Sequence, residues 1–291
     1  MGVTVGWRSG AASDPGLERT NNEDQVYVDD ASGIFLVVDG MGGRAAGELA
    51  AHTAVQVIPR ELRSFQGDVS DGVRQAITAA NNEIYRLAQD RDECRGMACV
   101  LTLAVAHDDR LTVGHVGDSR LYLVWNGTLR KLTSDHSLVG ELEDHGDLSE
   151  QAAMAHPRRN EVFRDVGSMA RQPHEEEFIQ IKSLLFRPDA AFLLCTDGLS
   201  DMLTSAEIGS FVQRYSRDPT LMARELIAAA NEAGGKDNVS VIFVAGPEFL
   251  GSDSEEARAR VRHSITQTRE TRSRWRNLIT RLAGLFSSRD E

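Results

Sequence analysis

Four aspartates stand beside apolar runs that have the composition of buried strands. Asp39 directly follows residues 34–38, and Asp197 ends a second apolar run; both are followed by glycine. Asp118 follows a looser run, and Asp237 precedes a run of β-branched residues. Carboxylates that converge beside a core repel one another, and a cation is needed to hold them together. The pattern therefore predicts a binuclear site for a hard metal ion at the ends of several strands.

The recurrence of the pattern favours a site over a set of ordinary turns. A single Asp-Gly pair is usually only a turn, but here Glu23 and Asp24 add two more acids just before a predicted strand at 25–28. Carboxylates, carbonyls and water suit magnesium or manganese, whereas the eight histidines lack the spacing of a zinc site. His156, beside a proline and two arginines, is the histidine that most needs examination.

Three other sites are disfavoured by their neighbouring residues. Residues 40–45 fit G-x-G-x-x-A, but Asp39 would then stand where a dinucleotide pyrophosphate belongs. Residues 42–47 lack the Lys and Ser/Thr that complete a phosphate-binding loop. Ser119 and Ser200 lie outside any G-x-S-x-G motif, which disfavours a serine hydrolase.

The elements that must position these acids do not alternate as β-α-β units. Strands fall in antiparallel groups, with a hairpin signal at Asn126-Gly127, and helices come in pairs. The chain is therefore predicted to be α+β, with two stacked sheets flanked by helices. Strands are predicted at 25–28, 34–38, 99–106, 110–116, 119–125, 178–181, 190–196 and 239–245, and helices at 45–62, 69–88, 205–215 and 219–233.

Several segments need separate predictions. Residues 10–16 are predicted to form a loop because they contain glycines and a proline, and Pro59 is expected to kink or end the first helix. Residues 136–175, called the flap below, look like an insertion with short helices. Residues 1–248 are predicted to form one domain, and 249–291 an arginine-rich tail.

The tail carries apolar residues at helical spacing, from Trp275 to Phe286, with arginines between them. From Gly251 onward it has nine arginines, six acids and no lysine. Such a helix suits an anionic membrane surface, a protein partner, or packing against its own acidic domain or a second copy. The sequence does not distinguish these three interpretations.

Composition limits the class of function. Of the 291 residues 41% are hydrophobic and 26% charged, which is typical of a soluble globular protein. A formal net charge of −12 argues against a protein that binds nucleic acid by neutralising phosphates. The three cysteines form no Cys-x-x-Cys pair, and no signal peptide or membrane-spanning segment is evident. A cytoplasmic location is predicted.

Taken together, five motifs of this chain resemble those of a family, the metal-dependent protein serine/threonine phosphatases of type 2C. Order and spacing match from about residue 3 to about residue 246. The segments Asp135-His-Ser-Leu-Val and His156-Pro-Arg-Arg-Asn160 resemble the bacterial branch, in which this insertion forms a flap beside the active site. The motifs are Arg19-x-x-Asn-Glu23-Asp24, Val38-Asp39-Gly40-Met-Gly-Gly, Val116-Gly-Asp118-Ser-Arg120, Thr196-Asp197-Gly198 and Gly235-Lys-Asp237-Asn238.

The resemblance implies a four-layer αββα sandwich that holds two Mn²⁺ or Mg²⁺ ions. Matched by position, Asp39 would contact both ions and Arg19 would grip the substrate phosphate. The other implied ligands are Asp197 and Asp237 for one ion, Glu23 and the Gly40 carbonyl for the other with Asp24 near it through water, and Asp118 for a third, weaker ion.

The implied reaction is hydrolysis of phosphoserine and phosphothreonine in proteins by a metal-activated water, without a phosphoenzyme. Substrates would be the products of a serine/threonine kinase in bacterial signalling. Met41 stands where animal relatives carry a histidine that resembles a general acid, so the leaving-group proton must come from elsewhere. Two alternatives are a catalytically weak regulatory module of the same fold and a metal-dependent nuclease or phosphodiesterase; the negative charge counts against the latter.

Overall fold

Two five-stranded antiparallel sheets form the centre of the molecule. The computed structural model describes residues 6–42 and 45–251. One sheet has the strand order β1-β10-β9-β6-β7 and the other β2-β3-β4-β5-β8. The strands are β1 (Arg8–Asp14), β2 (Gln25–Asp29), β3 (Ile34–Met41), β4 (Ala98–His107), β5 (Arg110–Val116), β6 (Arg120–Trp125), β7 (Thr128–Lys131), β8 (Gln180–Leu185), β9 (Ala191–Cys195) and β10 (Val239–Ala245).

Helices cover the outer face of each sheet, so that the molecule has four layers. Helices α1 and α2 share an apolar core with the sheet of β3 and β4, and α6 and α7 share a second core with the sheet of β9 and β10. The predicted α+β sandwich is confirmed. The helices are α1 (Ala45–Ser64), α2 (Val69–Asp90), α3 (Leu138–His145), α4 (Glu150–Met154), α5 (Asp197–Ser200), α6 (Ser205–Gln213) and α7 (Pro219–Glu232).

A third apolar core joins the two sheets. Phe35 of β3 and Phe192 of β9 meet edge to face across it, with ring centroids 5.5 Å apart. Because β3 and β9 have a helix layer on one side and the other sheet on the other, both of their faces are buried. This is why their sequences read as continuous apolar runs rather than as an alternation. The acids at the ends of such runs therefore lie at the edge of the buried core.

The predicted loop at 10–16 is wrong, because β1 spans Arg8–Asp14 and pairs with β10. Gly10 lies against the start of α7, where an added Cβ would be 2.2 Å from the backbone nitrogen of Thr220. The small residues of this segment therefore reflect close contact between a strand and a helix rather than a turn.

Two other boundaries differ from the prediction. Helix α1 continues through Pro59 to Ser64, so the proline does not end it. The strand predicted at 178–181 instead covers Gln180–Leu185, and Phe178 is buried before it begins.

The flap leaves the sandwich after β7 and carries the short helices α3 and α4, as predicted. Its return segment is held by α2, where the Asn81 side chain accepts from the Gly167 backbone and donates to the Met169 carbonyl, each at 2.8 Å. A bridge between Cys99 and Val166 ties the same segment to β4. The flap is thus connected to the core through its backbone at several points.

Phe249 packs against Tyr215 and Phe243 in the core beneath α6 and α7. The apolar positions predicted from Trp275 to Phe286 lie outside the described residues. Among the helices that are described, none combines the length and the apolar character that crossing a membrane requires.

Candidate metal centre

Seven of the eight predicted site residues line one cavity of about 310 Å³, here called the acidic cavity. Its walls come from both sheets, from the loop before β2 and from the flap. Asp24 is the exception, since it is buried behind the wall rather than on it. The seven predicted residues on the wall are Arg19, Glu23, Asp39, Gly40, Asp118, Asp197 and Asp237.

Asp39 lines the acidic cavity near the end of strand β3, where it lies opposite Val100 of β4. The next residue, Gly40, has no room for a side chain: an added Cβ would lie 2.2 Å from the carbonyl oxygen of Gly47. A Cβ on Gly47 would in turn lie 2.2 Å from Oε2 of Glu23. The glycines of this motif therefore let α1 approach β3 and the Glu23 loop closely, and leave the Gly40 carbonyl near the acids.

Asp197 begins helix α5 immediately after β9, and the preceding residue, Thr196, donates from Oγ1 to Asp24 Oδ2 at 2.8 Å. The other carboxylate oxygen of Asp24 and Oδ1 of Asp197 are both buried without a hydrogen-bond partner. Buried acceptors without a partner are rare and costly in folded proteins. These two oxygens are the ones that a cation would satisfy.

The acids of the cavity strongly perturb one another. Loss of hydration on burial raises the pKa of Asp39 well above its ordinary value, and repulsion from Asp24 and Asp118 raises it further. Burial likewise raises the pKa of Asp197, with repulsion from Asp39 as the next cause. The pKa of Asp24 and the pKa of Asp118 rise to about 7, again chiefly through burial. These carboxyl groups cannot all ionise at neutral pH unless positive charge enters the cavity.

Arg19 lies at the mouth of the acidic cavity and forms an ion pair with Asp237, with 2.6 Å between Nη2 and Oδ2. Its side chain is 54% exposed, so about half of it remains open to solvent. The loop that carries it is held by the Leu17 backbone amide, which donates to the Gly235 carbonyl at 2.7 Å. The residue predicted to bind phosphate is thus placed beside the acids predicted to bind metal.

Asn238 is a positioning residue that belongs to a predicted motif but had no predicted role. Its side-chain oxygen accepts from the Glu23 backbone amide at 2.8 Å, and its Nδ2 donates to the carbonyls of Pro15 and Asn21. The start of β10 therefore fixes the loop that presents Glu23. Its position next to Asp237 was the only signal in the sequence.

The flap supplies two further residues that the prediction missed, Asn160 and Val162, which line the acidic cavity. His156, the histidine singled out for examination, does not line the cavity; its Nδ1 accepts from the backbone amide of Arg158 within a flap turn. Asp201, one turn beyond Asp197, accepts a hydrogen bond from Nε of Arg159 and ties this part of the flap to the core.

A buried ion-pair cluster holds the first flap helix against the strand that follows Asp118. Arg120 Nη2 lies 2.6 Å from Asp135 Oδ2 and 2.7 Å from Glu143 Oε2 of α3. Because buried charges need such partners, the cluster constrains both the flap and the segment that carries Asp118.

The donor set of the acidic cavity fits a hard divalent cation. Carboxylate and carbonyl oxygens are the ligands that Mg²⁺ and Mn²⁺ prefer. Two of the buried carboxylate oxygens here accept no hydrogen bond. Within residues 6–42 and 45–251, however, no three Asp, Glu, His or Cys side chains already converge as a closed ion site. Burial and mutual repulsion disfavour the charged forms of these carboxylates, and ions that enter the cavity would relieve the repulsion.

Comparison with known proteins places this geometry in a family. The profile of Protein phosphatase 2C matches residues 18–229. The serine/threonine phosphatase stp of Listeria monocytogenes is 33% identical over 242 residues, which are 80% of this chain and 93% of the relative. The crystal structure of the Mycobacterium tuberculosis serine/threonine phosphatase PstP/Ppp is 33% identical, with a TM-score of 0.73 over 82% of this chain and 98% of that chain.

A second similar structure is the catalytic domain of PstP in complex with two manganese ions. It is 31% identical to this chain and has a TM-score of 0.72, covering 82% of this chain and 97% of its own.

Proposed function

The chain belongs to the protein phosphatase 2C family, and on this premise we propose that it hydrolyses phosphoserine and phosphothreonine in proteins with two Mn²⁺ or Mg²⁺ ions bound in the acidic cavity. It is a protein serine/threonine phosphatase by its similarity to named phosphatases over four-fifths of its length. The observation that carries the metal-dependent mechanism is the single cavity that gathers carboxylates from five separate parts of the chain.

The proposed ligand roles follow the position of each acid. Asp39 would serve both ions, and Asp197 and Asp237 would hold one of them. Glu23 and the Gly40 carbonyl serve the other, a role supported by the close packing of Gly40 and Gly47 near the Glu23 side chain.

Two further acids have more distant proposed roles. Asp24 acts through water, in keeping with its burial behind the wall and its hydrogen bond from Thr196. Asp118 helps to hold a third, weaker ion.

When bound, the ions neutralise the phosphoryl group and lower the pKa of a water so that it can attack phosphorus. The side chains of this protein provide orientation. Arg19 offers a fork of donors that matches two phosphate oxygens, and the exposure of its side chain beside the cavity acids supports that role. To take up phosphate it must share or release Asp237, which a bound cation would engage instead.

Met41 lines the acidic cavity, and its thioether has no proton to give to the leaving alcohol. The proton for the serine or threonine oxygen therefore comes from another group. We propose that water attacks phosphorus directly, without a phosphoenzyme, and the absence of Ser119 and Ser200 from the wall of the acidic cavity is consistent with this.

We propose as substrates the phosphoproteins made by a serine/threonine kinase, and as location the reducing cytoplasm. All three cysteines, Cys94, Cys99 and Cys195, are free and buried, which supports a reducing compartment.

Hydrolysis of a phosphothreonine peptide with Mn²⁺, with and without EDTA, tests the proposal. Turnover that EDTA abolishes and excess Mn²⁺ restores is the expected result. Binding of phosphopeptide without turnover in any divalent metal would favour the regulatory module, and cleavage of diesters would favour the nuclease.

A further inference from the structure

A half-buried arginine and an exposed aromatic ring form a pair on the flap, next in sequence to a residue that lines the acidic cavity. Val162 lines the cavity. The next residue, Phe163, is 50% exposed, and the guanidinium carbon of Arg164 lies 5.6 Å from the centre of its ring. Consecutive Cα atoms are about 3.8 Å apart, so the pair begins within one residue of the cavity wall.

The position of this pair is fixed relative to the catalytic acids. The backbone amide of Phe163 donates to the His136 carbonyl at 2.9 Å, and the His136 amide donates to the Gly117 carbonyl at 2.6 Å. The Gly117 amide donates in turn to Nδ1 of His136 at 3.1 Å. Because Gly117 directly precedes Asp118, two backbone hydrogen bonds connect the exposed ring to a wall of the cavity.

Arg164 differs from its neighbours on the flap in having no carboxylate partner among the described residues. Its contacts there are the Phe163 ring and Nε2 of His136, at 3.4 Å. Arg158, six residues earlier, pairs with Glu161 at 2.7 Å, and Arg159 pairs with Asp201. In a chain with 44 acids and 32 basic residues, a cation without a carboxylate beside the cavity is available to an acid from outside.

An exposed ring stacked on an arginine is a surface that suits a peptide. The ring offers apolar contact area, and the stacked guanidinium keeps its edge donors for a carboxylate. Rings and arginines of this kind are enriched where one protein contacts another.

We propose that Phe163 and Arg164 recognise the segment of the phosphoprotein next to the phosphorylated residue, and that Arg164 selects an acidic side chain two or three residues from it. This inference rests on the proposed function, since it supposes that the phosphoresidue occupies the acidic cavity. Phe163 supplies apolar contact to any peptide, and Arg164 supplies the preference for charge.

Three phosphothreonine peptides test the inference, identical except that the residues two positions to either side of phosphothreonine are Glu, Ala or Lys. The wild type with Mn²⁺ should show kcat/KM about five-fold higher for the Glu peptide than for the Lys peptide, the size expected for a solvent-accessible charge pair. The ratio should fall as salt is added, because such a pair is screened.

Charge variants at position 164 give the decisive comparison. Arg164→Ala should bring the Glu/Lys ratio to about one, and Arg164→Glu should invert it. Arg158→Ala is the matched control, since it removes an exposed flap arginine that already has a partner, and it should leave the ratio unchanged. Phe163→Ala should lower kcat/KM for all three peptides while keeping the ratio.

Two results would overturn the inference: a wild-type ratio of one, or an Arg164→Ala enzyme that keeps the wild-type ratio. The inference would also fail if Arg164→Ala lowered kcat/KM equally for the peptides and for a generic aryl phosphate. Arg164 would then act through His136 on the catalytic centre rather than on the peptide. Failure of the wild type to hydrolyse even the aryl phosphate with Mn²⁺ would instead contradict the proposed function itself.

Discussion

Arg19 and Asp237 are joined by a hydrogen bond of 2.6 Å from Nη2 to Oδ2 at the mouth of the acidic cavity. One of these residues is proposed to hold the substrate phosphate and the other a metal ion. In the structure the Arg19 guanidinium lies where a metal ion would contact Asp237, and the Asp237 carboxylate lies where the phosphate would contact Arg19. We therefore expect metal binding and substrate binding to be linked through this pair, because a cation at Asp237 would weaken its hold on Arg19.

Arg19→Ala should separate the two functions. Removing a cation beside the carboxylates favours the entry of a second cation, so we expect Mn²⁺ to bind a few-fold more tightly by calorimetric titration. The same change should lower kcat/KM for a phosphopeptide by about 100-fold, since a charged phosphate contact is lost. Arg19→Lys, which keeps the charge without the fork, should recover metal affinity near that of the wild type but only part of the activity. Weaker Mn²⁺ binding in Arg19→Ala would contradict this linkage.

Asp39→Asn should have opposite effects on activity and on metal-free stability. Turnover should fall by more than about 100-fold, because this carboxylate is proposed to contact both ions. In EDTA, however, the unfolding midpoint should rise by about 2–4 °C, since about 1 kcal/mol of carboxylate repulsion is relieved in a protein of this size. Thermal unfolding with EDTA and with Mn²⁺ measures both halves of the prediction. A lower midpoint in EDTA would show that the cavity acids do not strain the metal-free fold.

Gly40→Ala should damage the site through packing alone. The added methyl group would lie 2.2 Å from the Gly47 carbonyl oxygen and 2.8 Å from that of Glu23, and backbone atoms cannot yield without moving α1 or the loop. We expect a loss of about 1–3 kcal/mol in the free energy of unfolding and weaker Mn²⁺ binding. Gly209→Ala in α6 is the control, because its new methyl group would make only an ordinary contact at 3.9 Å with Leu129. It should be neutral or slightly stabilising; equal losses in the two variants would refute the argument from close approach.

His115 should make the fold sensitive to mild acid. It is fully buried between Thr102 and the Ser134 carbonyl, and burial lowers its pKa to about 3. The unfolded chain therefore binds this proton more readily. The stability that His115 contributes is complete above pH 6.5 and declines by roughly 1.4 kcal/mol per pH unit between 6.5 and 3.

Urea unfolding of the wild type and of His115→Gln from pH 8 to pH 5 isolates this contribution. The variant should be less stable at pH 8, because it loses the fitted ring, but its stability should decline less steeply below pH 6.5. Parallel curves for the two proteins would show that His115 does not carry the pH dependence.

The sequence predicted the layers and most of the site because each depends on local patterns. Continuous apolar runs identified β3 and β9, and the acids and glycines that follow them identified Asp39, Gly40 and Asp197. These elements and residues can be predicted from their neighbours in sequence, without knowledge of what lies beside them in space. Repulsion between the acids predicted a site that joins them, and the resemblance to type 2C phosphatases implied the full set of residues. The structure brings seven of the eight predicted residues onto the wall of one cavity.

The failures arose where the decisive contact comes from a distant part of the chain. Gly10 was read as part of a loop, although its lack of a side chain serves the contact with Thr220 of α7. Val162 belongs to an insertion without periodicity, so nothing local marked it as a cavity residue, and Asn160 was part of a flap motif but had no predicted role. Asn238 is recognised as a positioning residue only when the Glu23 loop is seen folded against it.

The most direct test of the account is to count the Mn²⁺ ions that bind to the wild-type chain and to Asp39→Asn, and to assay the same samples with a phosphothreonine peptide. We predict two tightly bound ions and turnover abolished by EDTA for the wild type, with both ion binding and turnover lost in the variant. A wild-type chain that binds no Mn²⁺, or that hydrolyses the peptide equally well in EDTA, would contradict the claim that these carboxylates form a catalytic metal centre.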